Sequence, residues 1–198
     1  MGLFDSVKSK LDKKSLFNKG NKYLKEGKYD KALKYFDKIL KLDPAYTAVW
    51  QSKGKLFHDL GKYEEALNCL DRALDLDPNY FKAWYSKGLI FEKIGKYDDA
   101  LKCFDMALAL DPQNVETLNQ KGMVLGSINK YDEAFEYFDK ALKLDAENVE
   151  AWSSKGMVLG KSRKYQEAIK CFDKALELNP DFEPAKKAKK LAVSLYRS

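Results

Sequence analysis

The stretch GKYDDALKCFDMALALDP at residues 95–112 decides the fold, because the chain repeats it. Closely similar stretches are GKYEEALNCLDRALDLDP at 61–78 and GKYDKALKYFDKILKLDP at 27–44, a period of 34 residues. This period predicts five consecutive units at 13–46, 47–80, 81–114, 115–148 and 149–182, flanked by segments 1–12 and 183–198. The residues that recur at it are Gly20, Gly54, Gly88, Gly122 and Gly156; Tyr29, Tyr63, Tyr97, Tyr131 and Tyr165; Ala32, Ala66, Ala100, Ala134 and Ala168; and Asp37, Asp71, Asp105, Asp139 and Asp173.

Each unit predicts two antiparallel helices joined by a tight turn. In residues 81–114, Trp84, Gly88 and the apolar residues after them recur at helical spacing until Gly95 interrupts the pattern. A second helical stripe then runs to Pro112. One helix pair cannot bury its apolar face alone, whereas stacked pairs bury a continuous core. The sequence therefore predicts an all-α fold of stacked helix pairs.

Composition and charge exclude several classes of protein. Of the 198 residues, 45% are hydrophobic and 33% are charged, which is typical of a folded domain. No apolar run is long enough to span a membrane, and residues 1–10 lack the pattern of a secretory signal, so we expect a cytoplasmic protein with no membrane partner. The ends of the chain are basic and the middle is mildly acidic, which argues against a continuous phosphate-binding stripe and a nucleic-acid partner.

Three features are possible sites of chemistry. The glycines of GKLFHDLGKY at 54–63 are spaced too widely for a phosphate loop, and Tyr63 stands where Ser or Thr is needed. His58 is the single histidine, which favours a solvated or groove-lining role over catalysis. Cys69, Cys103 and Cys171 share one repeat position, which holds tyrosine in the other two units and therefore predicts buried packing thiols. We expect no enzyme activity, no cofactor and no metal site.

The period, the paired helices and the pattern Trp84…Gly88…Phe91…Gly95…Tyr97…Ala100…Phe104…Ala107…Pro112 resemble the tetratricopeptide repeat (TPR). This resemblance implies an α-solenoid of antiparallel helix pairs that acts as a protein–protein interaction scaffold or adaptor. Its partner would be a protein or peptide segment held in a concave groove. The runner-up hypothesis is a self-assembling structural repeat protein, a homo-oligomer whose groove or ends are occupied by a neighbouring chain. A third hypothesis is weak binding of polyanions such as nucleic acid.

The resemblance also implies which side chains line the groove, because the first helix of each unit faces it. The first three units offer cations and amides, which suit an acidic or carboxylate-bearing peptide. The last two offer Gly126 and Gly160, which would open room for a bulky group, beside two adaptable methionines. The expected groove residues are Lys14, Phe17, Asn18, Asn21, Lys25, Gln51, Lys55, His58, Lys82, Tyr85, Leu89, Asn119, Met123, Ser153 and Met157.

The sequence departs from the family pattern in several places. Phe17, Ser52 and Ser86 stand where family members that clamp a terminal carboxylate carry Lys, Asn and Arg, so we expect no such clamp. Arg163 replaces the glycine between the helices, and we expect a differently shaped turn there. Ala146 replaces a proline, which puts the rigidity of that junction in question. Lysines precede the shared glycine in every unit, where we expect their stems to cover apolar surface: Lys19, Lys53, Lys87, Lys121 and Lys155.

The flanking segments are predicted to be helical. Residues 1–12 are a short amphipathic segment that caps the first unit or, through the myristoylation-like Met1-Gly2 and Ser6, contacts a membrane. Residues 183–198 are predicted to form a capping helix over the last pair. Its apolar face consists of Ala185, Ala188, Leu191, Ala192 and Leu195.

Overall fold

The computed structural model describes residues 3–197, and the side chains of residues 12–197. This part of the chain is all α-helix and turn, without a strand. No helix in it is both long and apolar enough to cross a membrane. The helices are α1 (Leu3–Lys25), α2 (Tyr29–Leu42), α3 (Thr47–Asp59), α4 (Tyr63–Leu76), α5 (Phe81–Lys93), α6 (Tyr97–Leu110), α7 (Val115–Ser127), α8 (Tyr131–Leu144), α9 (Val149–Lys161), α10 (Tyr165–Leu178) and α11 (Glu183–Arg197).

The helices form two compact units, and within each unit consecutive helices pack as antiparallel pairs. Unit 1 extends to Ile90 and unit 2 begins at Phe91, so that the boundary lies within α5. Each of the five 34-residue segments contributes one pair, and α11 follows the last pair. The predicted fold class, an α-solenoid of antiparallel helix pairs, is confirmed.

The N-terminal segment is continuous with the first pair, because α1 runs unbroken from Leu3 to Lys25. The amphipathic face that we predicted for residues 1–12 depends on side chains that lie outside the described part of the chain. The same holds for Met1 and Gly2, on which the membrane hypothesis rests. The amphipathic face of residues 1–12 and the membrane contact therefore remain predictions.

The shared glycines let the two helices of a pair touch. A Cβ atom built on Gly20 would lie 2.6 Å from Cε1 of Phe36, and one built on Gly156 would lie 2.6 Å from Cε1 of Phe172. Both phenylalanine rings are buried in the cores of their units. Real Cβ atoms do not approach a ring this closely, so the absence of a side chain at these positions sets the spacing of the pair.

The turn between the helices has the same backbone in all five pairs. The central residue adopts a left-handed conformation, with φ of 68° at Gly27, 71° at Gly61 and 76° at Gly95. Asn129 and Arg163 adopt φ of 65° and 63°, and the turn at Arg163 closes with a hydrogen bond from the amide of Lys164 to the carbonyl of Leu159. The expectation of a differently shaped turn at Arg163 is therefore wrong. The side chain is accommodated in a conformation that favours glycine.

Three of the four junctions between pairs are fixed by tryptophan. Trp50 Nε1 donates to the carbonyl of Pro44 at 2.8 Å, and Trp84 Nε1 makes the same bond to Pro78. Trp152 Nε1 donates to the carbonyl of Ala146 at 2.9 Å. Replacing proline by alanine at position 146 therefore leaves this hydrogen bond in place.

Four of the five lysines that precede the shared glycine pair with an aspartate sixteen residues earlier, on the second helix of the preceding pair. Sequence reasoning anticipated their half-buried stems but not these partners. Lys121 is the most enclosed, and its ammonium also donates to the Tyr137 hydroxyl. We call this series the Lys–Asp ladder, and its bonds are Lys53–Asp37 at 2.8 Å, Lys87–Asp71 at 2.5 Å, Lys121–Asp105, and Lys155–Asp139 at 2.5 Å.

Helix α11 continues this register beyond the last pair. Lys189 lies 2.5 Å from Asp173, as the ladder lysines do from their aspartates. Ala185 and Ala192 are buried in the core cluster that α10 contributes to, whereas Leu191 remains 61% exposed. The helix thus packs as the first helix of a further pair would.

The three cysteine thiols are buried at their shared position. Burial raises the pKa of the Cys69 and Cys171 thiols above the usual 9.0. A buried thiol with a raised pKa is a poor nucleophile, which agrees with the predicted packing role.

Candidate functional site

Unit 1 contains an open groove of ≈ 900 Å³ on the side formed by α1, α3 and the start of α5. These are the first helices of the first three pairs, as the sequence leads us to expect. The lining residues are Phe17, Asn18, Asn21, Lys22, Leu24, Lys25, Gly27, Tyr29, Ala48, Gln51, Ser52, Lys55, Asp59, Tyr80 and Lys82.

Aromatic rings form the apolar part of the groove. The ring centroid of Phe17 lies 5.6 Å from that of Tyr46 and 6.3 Å from that of buried Phe36. Contact with a buried ring holds Phe17 in place at the groove surface. Tyr80 lines the groove from the residue just before α5. This apolar part gives a ligand surface to bury beside the polar groups.

Amides provide the hydrogen-bonding part of the groove. Asn18 and Asn21 project from α1, and Gln51 from α3. Gln51 Nε2 lies 3.4 Å from the Ser86 hydroxyl, which ties α3 to α5. A side-chain amide both donates and accepts, so each can bond the backbone of an extended peptide.

The charges of the groove are predominantly positive. Lys22, Lys25, Lys55 and Lys82 contribute ammonium groups, and the single carboxylate of the lining is that of Asp59. Asp59 Oδ1 lies 3.2 Å from Nδ1 of His58. With no Cys, Ser–His pair or second carboxylate in the lining, the arrangement is suited to binding through charge and hydrogen bonds.

Seven of the predicted groove residues line this groove, and the other four predicted residues of unit 1 do not. Lys14 borders a separate depression on α1, with Ser15 and Lys19. His58 contacts Tyr63, with ring centroids 6.0 Å apart. The seven that line the groove are Phe17, Asn18, Asn21, Lys25, Gln51, Lys55 and Lys82. Tyr85 stacks on Phe81 at 6.2 Å, and Leu89 is partly buried.

The predicted residues of unit 2 are less accessible. Asn119 and Ser153 are buried, and neither Asn119 Oδ1 nor Ser153 Oγ has a hydrogen-bond partner among the described residues. Met123 is packed against the core and Met157 is 38% exposed. Asn119, Ser153 and Met123 therefore offer little open surface to a ligand, whereas Met157 is accessible.

The expectation that Gly126 opens room for a bulky group is wrong. A Cβ atom on Gly126 would lie 2.5 Å from Cγ2 of Val158, so this glycine allows α7 and α9 to pack closely. Gly160, in contrast, is open, because a Cβ atom placed on it would meet nothing within 4 Å. Lys161 Nζ donates to the carbonyls of Gly126 and Ser127 at 3.0 and 2.9 Å, and thereby caps the end of α7.

Sequence reasoning missed the tyrosine that precedes α5. Tyr46 and Tyr80 occupy one repeat position, which holds Asn114 and Asn148 in unit 2. There each asparagine caps the following helix, through an amide hydrogen bond of 2.9 Å from Thr117 or Ala151. The change from capping Asn to Tyr was the signal that this position has another role in unit 1.

Side chains that could hold a metal do not cluster in the described part of the chain. No group of three or more His, Cys, Asp or Glu side chains converges among residues 12–197.

Comparison with known proteins agrees with the repeated helix pairs of the fold. The tetratricopeptide repeat family model matches residues 14–46, 81–114, 115–148 and 149–182, and a second TPR repeat model matches residues 54–95. No curated protein sequence matches the chain significantly.

Among solved structures, MamA is 28% identical, with a TM-score of 0.71 over 86% of this chain and 96% of MamA. YrrB, described as a TPR protein with an unusual peptide-binding site, is 25% identical, with a TM-score of 0.70 over 88% of this chain and 90% of YrrB. A tetratricopeptide repeat protein from Parabacteroides merdae shares the fold, with 18% identity and a TM-score of 0.80 over 94% of this chain and 74% of that one. From the repeated helix pairs and these matches we conclude that the chain belongs to the tetratricopeptide repeat family, whose fold generally serves as a protein-interaction scaffold.

Proposed function

We propose that the protein is a scaffold or adaptor that binds an extended peptide segment of a partner protein in the groove of unit 1. The observation that carries this proposal is the groove itself, which combines an aromatic floor, three amides and four ammonium groups on three successive first helices. An extended peptide exposes backbone donors and acceptors at regular spacing, which such amides can bond. The three buried thiols fit a reducing compartment, so we place this role in the cytoplasm.

The proposal is tested with peptides selected from a random displayed library on the intact protein. Binding of the selected peptides is measured by fluorescence polarisation for wild type, for Asn18→Ala/Asn21→Ala and for Asn68→Ala. Asn68 is an exposed amide on α4, away from the groove, and serves as the matched control. Loss of two amide hydrogen bonds should weaken binding roughly fivefold to thirtyfold. Selected peptides that bind the groove variant as tightly as the wild type would refute the proposal.

A second candidate is self-assembly, which one observation favours. Leu191 and Tyr196 on α11 are 61% and 57% exposed, and they would be available to pack against a neighbouring chain. Light scattering across a concentration series checks this candidate. A mass that rises with concentration for the wild type, but not for Leu191→Lys, would favour self-assembly, and a constant monomer mass would exclude it.

A further inference from the structure

We infer that the groove of unit 1 recognises the side-chain carboxylates of an internal acidic segment in its partner. This inference rests on the proposed function and adds the chemistry of the partner to it. It predicts a ligand whose acidic residues are spread along the chain, and it excludes dependence on a free C-terminus.

The first step is that three of the four groove lysines have no acidic partner within the described side chains, whereas the fourth, Lys22, lies 3.9 Å from Glu26. The ladder lysines and Lys189 all lie close to an aspartate, and so does Lys13, at 2.8 Å from Asp43. Lys25, Lys55 and Lys82 have no carboxylate within ion-pair distance among the described side chains of residues 12–197. Lys25, Lys55 and Lys82 are therefore available to the carboxylates of a ligand.

The second step is that the groove lining has fewer negative than positive charges, with one carboxylate beside four ammonium groups. Its single carboxylate, Asp59, is already in contact with His58. A partly enclosed surface with several uncompensated ammonium groups creates a positive potential, which attracts and orients an acidic ligand. Charge complementarity therefore selects an acidic partner over a neutral or a basic one.

The third step concerns the distribution of the charges. Lys25, Lys55 and Lys82 project from three different helices, α1, α3 and α5. Neighbouring packed helices lie about 10 Å apart, and an extended chain rises about 3.3 Å per residue. The three lysines also stand at different positions along their helices, so carboxylates at least about three residues apart in an extended segment would meet successive lysines. One terminal carboxylate could engage only one of them well.

The positions that would concentrate charge around a terminal carboxylate are uncharged here. Phe17 packs against Tyr46, and Ser86 lies beside Gln51. Ser52 is largely buried. None of these side chains adds a positive charge to a neighbouring lysine, so the structure favours separate contacts with separate carboxylates.

A second basic surface of unit 1 provides the matched control. Lys31, Lys34, Lys38 and Lys41 border a depression of ≈ 540 Å³ on α2, outside the groove. Lys31 and Lys38 lie over the rings of Tyr23 and Tyr35. If the protein bound acidic peptides only because it is basic, this surface would serve as well as the groove.

The experiment compares fluorescein-labelled peptides of about twelve residues with glutamate at every third position, a length set by the rise per residue and helix spacing used above. One form is C-terminally amidated, a second has glutamine in place of every glutamate and is amidated, and a third is the glutamine form with a free C-terminus. Binding to the full chain is measured for wild type, for Lys25→Gln/Lys55→Gln/Lys82→Gln and for Lys31→Gln/Lys34→Gln/Lys41→Gln. Thermal melting verifies that both variants fold.

We expect the amidated glutamate peptide to bind wild type at least about tenfold more tightly than the amidated glutamine peptide. The groove variant should lose this preference and the α2 variant should keep it. Raising the salt concentration from about 50 to about 300 mM should weaken the acidic peptide selectively.

Three outcomes would overturn the inference. They are unchanged preference in the groove variant, loss of preference in the α2 variant, and tighter binding of the free-acid glutamine peptide than of the amidated glutamate peptide. If library-selected peptides still depend on Asn18 and Asn21 in that case, the proposed function stands and only the acidic partner is wrong. If they do not, both fail.

Discussion

Lys155 Nζ lies 2.5 Å from Oδ1 of Asp139, the aspartate on the second helix of the preceding pair. The same contact recurs along both units at the period of the repeat, and Lys189 extends it to α11. The lysine stems are mostly enclosed while their aspartates are more than half exposed. An exposed carboxylate adds little to an ion pair, so burial of the stem contributes most of the stability at these positions.

This account predicts the effect of changing Lys121, the most enclosed lysine of the ladder. Lys121→Ala should lower the free energy of unfolding by about 1–3 kcal/mol, because it removes the packed stem and the bonds to Asp105 and Tyr137. Lys121→Leu should stay within about 1 kcal/mol of wild type, since leucine keeps the packing. Urea unfolding measures both. An equal loss in the two variants would show that the charge matters more than the stem.

The two glycines of α9 should respond in opposite ways to alanine. Gly156→Ala should destabilise the protein by about 1–3 kcal/mol, because the new methyl group would lie 2.6 Å from the buried ring of Phe172. Gly160→Ala should stabilise it by up to about 1 kcal/mol, because that position is helical and open. Thermal melting of the two variants is the measurement. A stabilised Gly156→Ala would contradict the packing role of the shared glycine.

Replacing Arg163 by glycine should stabilise the protein. Arg163 holds φ at 63° in a turn whose counterparts in the first three pairs are glycines. Arg163→Gly should therefore raise the free energy of unfolding by about 1 kcal/mol. Arg163→Ala keeps the Cβ atom and is the control, for which we expect no gain. If alanine stabilises the protein as much as glycine does, the effect comes from removing the arginine side chain and not from the backbone.

The ion pair between Lys13 and Asp43 should make stability depend on pH in the acid range. The hydrogen bond from Lys13 holds the pKa of Asp43 below its usual value of 3.8. A carboxyl whose pKa is lowered by folding stabilises the protein above that usual value, and the contribution is lost as the pH falls through the lower pKa of the folded state.

Asp43→Asn should therefore lower the free energy of unfolding by about 0.5–1 kcal/mol at neutral pH. The difference from wild type should disappear as the pH falls below 3.8 and through the lower pKa of folded Asp43. Urea unfolding of both proteins over this pH range checks the prediction. A difference that persists when Asp43 is fully protonated would show that the effect does not come from the charge of this carboxylate.

The fold could be read from the sequence because each structural device recurs in at least three of the five repeats. Gly156 and Phe172, or Trp84 and Pro78, are in contact for reasons that their repeat positions already indicate. The repeat period does not show which side chain of a neighbouring repeat a given residue contacts. The pairing of Lys121 with Asp105 joins two consecutive helix pairs and was therefore missed.

The groove was only partly predictable for a related reason. The family resemblance indicates which helix faces the groove, so Asn21 and Lys55 were expected there. It does not indicate where neighbouring first helices close on each other. Gly126 packs against Val158, and Asn119 and Ser153 are buried, whereas Phe17 and Gln51, at the repeat position of Asn119 and Ser153, line the groove of unit 1.

The most direct test of the account asks which lysines a bound ligand covers. The full chain is treated with acetic anhydride, with and without the amidated glutamate peptide, and acetylation of each lysine is measured by mass spectrometry. The account predicts that the peptide protects Lys25, Lys55 and Lys82 and leaves Lys31, Lys34 and Lys41 unchanged. Protection of the α2 lysines instead, with the groove lysines still fully acetylated, would contradict the assignment of the groove of unit 1 as the binding site.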